Sequence, residues 1–352
     1  MTDKCLIIGD THYDVKCDGY LQNQLESTVK IVKGHSPKYL VFLGDIFHHR
    51  KPTPEVVVGV HKMFKRLATT IPGLSNIYVL RGNHYSQKRS DDGLTSLEVL
   101  EYPGSKVKVV TQTYLDEELN MLFIPHYEDE EVIKKHLASA PNSKTIAFGH
   151  FSYTPECFEI HGYESSLKSS DFKCRTILGH IHKYLKEDKV TILGTPWSTN
   201  YGECDYDHYV GILNKTKDGW GALKTVKASI GPRYYEAPYD ALDPMREDIS
   251  DTNYFTMLRV LIDKFTETPP NILRSEIEKE FKVGFVDLKF KPVYNADLNN
   301  RLSNYDPNTP STIIDGDIIK KYIEEQASQI PTSKLEEGLN LIKEHADTED
   351  LG

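Results

Sequence analysis

The stretch Ile177-Leu178-Gly179-His180-Ile181-His182 decides how the rest of this chain is interpreted. Its apolar start predicts a short buried strand, and two histidines follow with one residue between them. Side chains two residues apart in an extended backbone point to the same side, so His180 and His182 are expected to project together. Gly179 lets the chain turn just before them. Two imidazoles on one side of a strand end are a metal-ligand arrangement.

Four further predicted strands also end in residue types that bind metals, and glycine directly precedes most of these ends. A single histidine after a strand is more often a hydrogen-bonded structural residue, but five such ends in one chain leave that explanation little room. The residues are Asp10 and His12 after strand 4–9, Asp45 after strand 39–43, Asn83 and His84 after strand 76–80, His150 after strand 145–148, and His180 and His182 after strand 176–178.

The residue types in this set indicate which ions they would bind. Carboxylate and imidazole groups with an amide oxygen form a mixed nitrogen and oxygen set, which suits Mn, Fe, Zn or a similar divalent ion. A site for Mg or Ca alone would be built from oxygen ligands. One carboxylate can bridge two ions, and a binuclear centre can clamp a phosphate and activate a water.

Strands and helices alternate along the first half of the sequence, which predicts an α/β fold with its ligand site at the carboxyl ends of the strands. Thr53 is a candidate N-cap, with Pro54 as the first helical residue. The second half is mostly strand. The remaining predicted elements are helices at about 21–33, 54–68 and 130–138, and strands at 106–111, 120–125, 190–193 and 209–213.

The composition is that of an ordinary soluble globular protein. The 352 residues are 39% hydrophobic and 27% charged, and no apolar run approaches the roughly 18 residues that span a bilayer. We expect no membrane partner. Five scattered cysteines without a CxxC pair favour a reducing compartment over a disulfide scaffold. The formal net charge of −10 does not decide for or against DNA, because residues 301–352 hold 11 Asp and Glu against 5 Lys and Arg.

The C-terminal third has a different pattern. Residues 230–239 contain glycine and prolines and predict a linker. A strand at 254–263, a helix at about 271–281 and a strand at 283–294 follow, which predicts a small α/β unit. Lys289 and Lys291 give its last strand a basic face, although a solvated surface explains them as well. After a second predicted linker at 303–311, short amphipathic helices are expected either to dock onto a partner or to fold back.

The motifs D-x-H, G-D, G-N-H, G-H and G-H-x-H, in this order, resemble those of the calcineurin-like metallophosphoesterases. The resemblance covers roughly residues 5–214 and implies a two-sheet sandwich flanked by helices. His84 would face the phosphate as a general acid or as a stabiliser of the leaving oxygen. One ion would be held by Asp10, His12, Asp45 and His182, and a second by Asp45, Asn83, His150 and His180.

The segment Gly44-Asp45-Ile46-Phe47-His48-His49-Arg50-Lys51-Pro52-Thr53 resembles the DNA-repair nuclease branch of that family, the SbcD type. In this branch G-D-x-F-H is followed by K/R-P-S/T, and His48 would lie near the phosphate. The segment 193–197, with Tyr201-Gly202-Glu203 beyond it, resembles the G-S/T-P segment of the branch, for which structural and DNA-contacting roles are equally open. Tyr85 is a departure, because the branch has an Asp there that can orient the neighbouring histidine.

The resemblance implies a metal-dependent DNA nuclease, exonuclease or endonuclease, with Mn as the expected ion and Mg, Fe or Zn as alternatives. It would be the nuclease subunit of a repair or recombination complex, a homodimer within a heterotetramer. Its partner would be an SMC-like, Rad50-type ATPase, bound through the C-terminal helices. A small-molecule phosphoesterase of the same fold and a mainly DNA-end-binding interaction subunit are the alternatives.

The same resemblance implies three domains. They are the phosphoesterase domain over residues 1–230, a DNA-contacting cap over 231–300, and a linker with a helical tail over 301–352. The expected location is the cytoplasm of a bacterium or of a phage-infected host, at the nucleoid when the enzyme is active.

Overall fold

Two β-sheets pack face to face at the centre of the fold in the computed structural model, which describes residues 3–84, 95–154, 165–262 and 268–290. All of these belong to one compact unit, residues 1–291. The helices are α1 (Tyr20–His35), α2 (Pro54–Thr70), α3 (Glu130–Ala138), α4 (Arg246–Ile249) and α5 (Pro270–Phe281). The strands are β1 (Lys4–Ile8), β2 (Tyr39–Phe42), β3 (Asn76–Leu80), β4 (Val107–Val110), β5 (Tyr114–Asp116), β6 (Met121–Ile124), β7 (Ile146–Gly149), β8 (Arg175–Leu178), β9 (Leu185–Glu187), β10 (Val190–Ile192), β11 (Tyr209–Thr216), β12 (Gly219–Trp220), β13 (Lys224–Lys227), β14 (Gly231–Pro238), β15 (Tyr254–Ile262) and β16 (Phe285–Phe290).

The two central sheets each contain a run of parallel strands. The first has the order β12-β11-β1-β2-β3-β4, with β13 paired to β11, and its strands β1 to β4 are parallel. The second has the order β5-β6-β7-β8-β10-β9, in which β6, β7, β8 and β10 are parallel. Parallel strands end at the same edge of a sheet, which gathers the loops that follow them.

Strand β1 shows why both faces of the first sheet are covered, one by helices and the other by the second sheet. Leu6 and Ile8 pack in the apolar cluster with α1 and α2, whereas Cys5 and Ile7 pack in the cluster that joins the two sheets. Successive side chains of a strand point to opposite faces, so an all-apolar strand needs cover on both. Ile133 of α3 belongs to the cluster on the outer face of the second sheet. The layers are helix, sheet, sheet, helix, and the predicted α/β sandwich is confirmed.

Two helices begin where their sequences predict. Thr53 occupies the N-cap of α2 in an extended conformation, and Pro54 is its first residue, where a missing N–H costs no helical bond. Helix α3 has the predicted bounds, and Asp129 caps it by accepting from the Glu131 backbone N–H. The cap satisfies one of the donors that a helix start leaves unpaired.

The prediction of a linker at residues 230–239 is wrong. Residues 231–238 form β14, which pairs in parallel with β15 from Gly231 opposite Tyr254 to Pro238 opposite Leu261. Because β15 pairs with β16 on its other side, β14 is an edge strand, and an edge tolerates prolines where a central strand does not. Strands β14, β15 and β16 form a third sheet, and the apolar face of α5 packs in its hydrophobic cluster.

Several expectations fall on parts of the chain outside the described ranges. These are the second linker, the C-terminal helices, Lys291 and Tyr85. The expected division into three domains stays a prediction. Among the helices that are described, none combines the length and the hydrophobicity needed to cross a bilayer.

Candidate metal centre

The loops after five strands meet at one edge of the sandwich. Asp10 follows β1 in the first sheet, and His180 follows β8 in the second. The His180 backbone N–H donates to Asp10 Oδ2 at 2.6 Å, which joins the two sheets directly. Within the first sheet, the His12 backbone N–H donates to the Asp45 carbonyl at 2.9 Å. The candidate ligands predicted from separate strand ends therefore lie together.

One group of candidate ligands consists of Asp10, His12 and His182, whose ligand atoms lie within 4.8 Å of one another. Nε2 of His12 lies 3.0 Å from Nε2 of His182. Asp10 Oδ1 is buried and has no hydrogen-bond partner among the described residues. Two imidazole nitrogens and a carboxylate oxygen thus lie close enough together to share a divalent cation.

A second group consists of Asp45, His150 and His180. The side-chain oxygen of Asn83 joins it, at 3.1 Å from His150 Nε2 and 3.2 Å from His180 Nδ1. Nδ1 of His150 donates to the Leu43 carbonyl at 2.9 Å, which leaves a lone pair on Nε2 of the neutral ring. A lone pair that faces an amide oxygen needs a proton or a cation between them, so this group also fits a metal ion.

Asp45 lies between the two groups. Its Oδ2 is 3.8 Å from His12 Nε2, in the first group, and 3.4 Å from His150 Nε2, in the second. Only 2% of its side chain is exposed. This is the position that a bridging carboxylate requires.

Three of the candidate ligands adopt the left-handed backbone conformation. The φ angles of His12, Asp45 and His180 are 45°, 39° and 77°. Such conformations cost a non-glycine residue about 1–3 kcal/mol each and persist where the surrounding structure imposes them, typically at functional sites.

Close approach of the loops explains two of the glycines that precede candidate ligands. A Cβ at Gly44 would lie 2.2 Å from His150 Nδ1, and one at Gly179 would lie 2.4 Å from Asp10 Oδ1. Real side chains do not approach this closely. Each glycine therefore lets one loop pass against a ligand carried by another loop.

The two histidines predicted to be catalytic border the Asp10–His12–His182 group. His84 Nδ1 donates to the His48 carbonyl at 2.7 Å, and its Nε2 lies 3.8 Å from Asp45 Oδ2. This carbonyl orients the His84 ring, the role that the resemblance assigns to an Asp at the position of Tyr85. The His48 ring lies 5.4 Å from that of His12. The His84 side chain is 36% exposed, so the centre is open on this side.

Glu203 contacts a candidate ligand, a role that the sequence analysis did not predict for it. Its buried carboxylate accepts from His182 Nδ1 at 2.6 Å, which directs Nε2 of that ring toward the candidate ion. A carboxylate behind a metal-binding histidine fixes the tautomer and raises the basicity of the ring. The signal in the sequence is weak, because Glu203 follows His182 by 21 residues and belongs to no spacing rule.

Trp197 lies beneath the loop that carries Asp10 and His12. Its ring N–H donates to the Thr11 carbonyl at 3.1 Å, and the side chain is 1% exposed. Of the two roles left open for this segment, the structure favours the structural one for Trp197.

Burial and neighbouring charges set the protonation of the site. Burial raises the pKa of Asp10 to about 6, although the nearby His150 acts in the opposite direction. Burial lowers the pKa of His180 to about 3 and that of His12 well below its ordinary value. Burial also works to lower the pKa of His150, but the carboxylates of Asp45 and Asp10 outweigh it and raise the pKa to about 9. His12 and His180 are therefore neutral rings at neutral pH, whereas a metal ion must displace a proton from His150. Burial works to lower the pKa of His182 as well, but its hydrogen bond to the Glu203 carboxylate outweighs burial and raises it.

Comparison with known families agrees with this geometry. Residues 4–184, just over half of the chain, match the family model of the calcineurin-like phosphoesterases. The chain belongs to this family. No curated protein matches it. The region that matches the calcineurin-like phosphoesterases contains all the predicted ligands and ends two residues after His182, so Glu203 and the third sheet lie beyond it. The chain is accordingly a phosphoester hydrolase with a candidate metal centre of Asp and His residues.

Proposed function

We propose that this calcineurin-like phosphoesterase is a Mn-dependent nuclease that hydrolyses phosphodiester bonds in DNA. The observation that carries the proposal is the position of Asp45 Oδ2 between two groups of imidazole nitrogens, which suits a pair of cations. The choice of DNA rests on the segment 44–53, whose G-D-x-F-H and K-P-T pattern resembles the nuclease branch.

The proposed ligand sets follow the two groups. Two bound ions would supply Lewis-acid stabilisation of the phosphate and activate a water. The first ion would be held by Asp10, His12, Asp45 and His182, and the second by Asp45, Asn83, His150 and His180. Asn83 would bind the second ion through its amide oxygen.

His84 and His48 would act on the phosphate side of the centre. The hydrogen bond from His84 Nδ1 to the His48 carbonyl fixes the ring so that Nε2 is directed at the site. As an imidazolium, His84 can donate that Nε2 proton to the departing sugar oxygen. Burial lowers the pKa of His48 to about 4, so at neutral pH it meets a phosphate as an uncharged hydrogen-bonding group.

We further propose the assembly that the sequence implies. A homodimer of this chain would bind an SMC-like, Rad50-type ATPase through the C-terminal helices, in the cytoplasm of a bacterium or of a phage-infected host. The support is the apolar stripe of Leu335, Leu339 and Ile342 at i, i+4 and i+7. Copurification of the full chain with its cognate ATPase, lost in Leu339→Asp, would test the contact.

The activity test uses the purified chain with Mn²⁺ and four substrates: duplex DNA, single-stranded DNA, p-nitrophenyl phosphate esters and cyclic nucleotides. We expect DNA cleavage, and a loss of about 10²-fold or more in His84→Ala with both ions still bound. Asp45→Asn should abolish cleavage and reduce metal content. His136→Ala on helix α3 is the matched histidine control.

Three other outcomes of this assay would contradict the proposal or part of it. Hydrolysis of the small esters with intact DNA would replace the proposal with a small-molecule phosphoesterase. DNA binding without turnover of any substrate would favour an end-binding subunit. Full cleavage by Asp45→Asn would overturn the bridging role.

A further inference from the structure

Asp14, His48 and His49 form a further cluster of metal-ligand types beside the candidate centre. One donor atom from each lies within 4.8 Å of the other two. None of the three residues belongs to the proposed ligand sets of the two ions above. The cluster adjoins the first set, since the His48 ring lies 5.4 Å from the ring of His12.

Backbone pairing between two loops creates this cluster. Tyr13 and Phe47 form a parallel bridge, in which the Tyr13 N–H donates to the Ile46 carbonyl and the His48 N–H donates to the Tyr13 carbonyl. The pairing continues the neighbouring strands β1 and β2 past their ends. It therefore holds Asp14 next to the two histidines.

Asp14 is a pre-positioned ligand. The residue is 9% exposed, and its Oδ1 accepts from the Val15 N–H at 2.8 Å. Its own backbone N–H donates to the fully buried Gln24 side chain at 3.1 Å. Little conformational freedom remains to be lost on binding an ion.

The spacing fits a shared cation better than a direct ion pair. Asp14 Oδ1 lies 3.5 Å from His49 Nε2, whereas a charge-assisted N–H···O hydrogen bond spans about 2.7–2.9 Å. Two ligands of a tetrahedral ion, each about 2.1 Å from it, lie about 3.4 Å apart. In addition, His48 Nδ1 is buried without a hydrogen-bond partner among the residues that the structure describes.

We propose that Asp14, His48 and His49 bind a third divalent cation, of the transition-metal class that includes Zn, Co, Ni and Mn. Two imidazoles and one carboxylate leave positions open for water or a phosphate oxygen. The nearby ammonium group of Lys16 makes its hydrogen bonds outside this cluster, to the Thr199 carbonyl and the Tyr234 hydroxyl. A divalent ion beside one carboxylate would add a net positive charge next to the centre. That charge would attract the phosphate of a substrate, and this last step alone rests on the proposed function.

Metal counting on the full chain tests this site. We would titrate the metal-free protein with Co²⁺, follow visible absorption, and measure metal content after equilibrium dialysis. The parent should hold three ions, and His49→Ala and Asp14→Asn should hold two. His49→Cys should regain the third ion and add a thiolate-to-metal charge-transfer band, which a purely structural residue would not give. The His49 side chain is 61% exposed, so its replacement leaves the core intact.

The control and the outcomes separate this proposal from the nuclease proposal. His136→Ala should keep three ions. Equal ion numbers in the parent and His49→Ala at saturating Co²⁺ would overturn the third site, whether or not the chain cuts DNA. Three ions in the parent and two in His49→Ala would uphold it, even in a chain that cleaves no DNA.

Discussion

Replacement of Glu203 by glutamine tests whether its carboxylate positions the His182 ring at the candidate centre. The two carboxylate oxygens accept four hydrogen bonds: Oε1 from His182 Nδ1 (2.6 Å), the Thr199 hydroxyl (2.8 Å) and Asn200 Nδ2 (2.7 Å), and Oε2 from the Thr199 N–H (2.7 Å). Glutamine has one acceptor oxygen, so its NH₂ group must face at least one of these donors. No rotation of the amide satisfies the whole set.

The two orientations of the amide have different consequences for His182. If the NH₂ group faces Nδ1, the ring can accept only by moving its proton to Nε2, the atom 3.0 Å from His12 Nε2. A protonated Nε2 cannot bind a metal ion. If the NH₂ group faces the Thr199 N–H instead, a buried donor is left unpaired, at a cost of about 1–3 kcal/mol in the free energy of unfolding.

We therefore expect Glu203→Gln to lower the affinity for the proposed ion at Asp10, His12 and His182 by about 10–100-fold, the usual effect of losing a group behind a metal ligand. That factor corresponds to about 1.4–2.8 kcal/mol. The assay is Mn²⁺ binding by equilibrium dialysis with elemental analysis, beside urea unfolding of the metal-free chain.

The control is Glu130→Gln, the same change at a carboxylate that accepts hydrogen bonds from Ser165 and Ser166. If Glu203→Gln lowered the stability of the metal-free chain but left both Mn²⁺ affinities unchanged, Glu203 would only brace its own loop. The positioning of His182 by its carboxylate would then be refuted.

Two further predictions concern the loops and the pH. Gly44→Ala should lower the free energy of unfolding by about 2–4 kcal/mol in urea, because its Cβ would clash with His150, whereas Gly73→Ala, with φ +74° and open space around it, should lose only about 1 kcal/mol. Similar losses in both would contradict the close-approach argument. The apparent Mn²⁺ affinity should fall by about tenfold per pH unit from about pH 8.5 to 6.5, since the ion must displace a proton from His150, whose pKa is raised to about 9 by Asp45 and Asp10 against the effect of burial. Calorimetric affinities that stay constant over this range would show that His150 is neutral in the apo chain.

The sequence predicts which side chains come together at the candidate centre, because these residues follow buried strands. Apolar runs such as residues 39–43 and 76–80 mark strands of a covered sheet, and the ends of parallel strands gather at one edge. The spacing D-x-H and H-x-H then indicates which side chains meet. These are local signals, and the structure brings their residues together.

Other parts of the fold depend on contacts that no local pattern contains. Strand β14 carries Gly231, Pro232 and Pro238, which are typical of a linker, and only its edge position beside β15 makes them compatible with a sheet. Strands of three residues, such as β5 and β9, are too short to show a period. Glu203 reaches His182 only because its loop folds back, so the spacing between these two residues does not predict their contact.

The hydroxyl of Tyr234 on β14 has a consequence for how this protein can be shortened. It lies 3.1 Å from the Tyr20 hydroxyl at the start of α1, and Gly231 packs so closely on Trp197 that a Cβ there would lie 2.8 Å from the indole ring. A fragment that stops at residue 230 would open the indole and the first turn of α1 to water, directly under the loop of Asp10 and His12. Expression of the catalytic half alone therefore calls for a boundary after β16 rather than before β14.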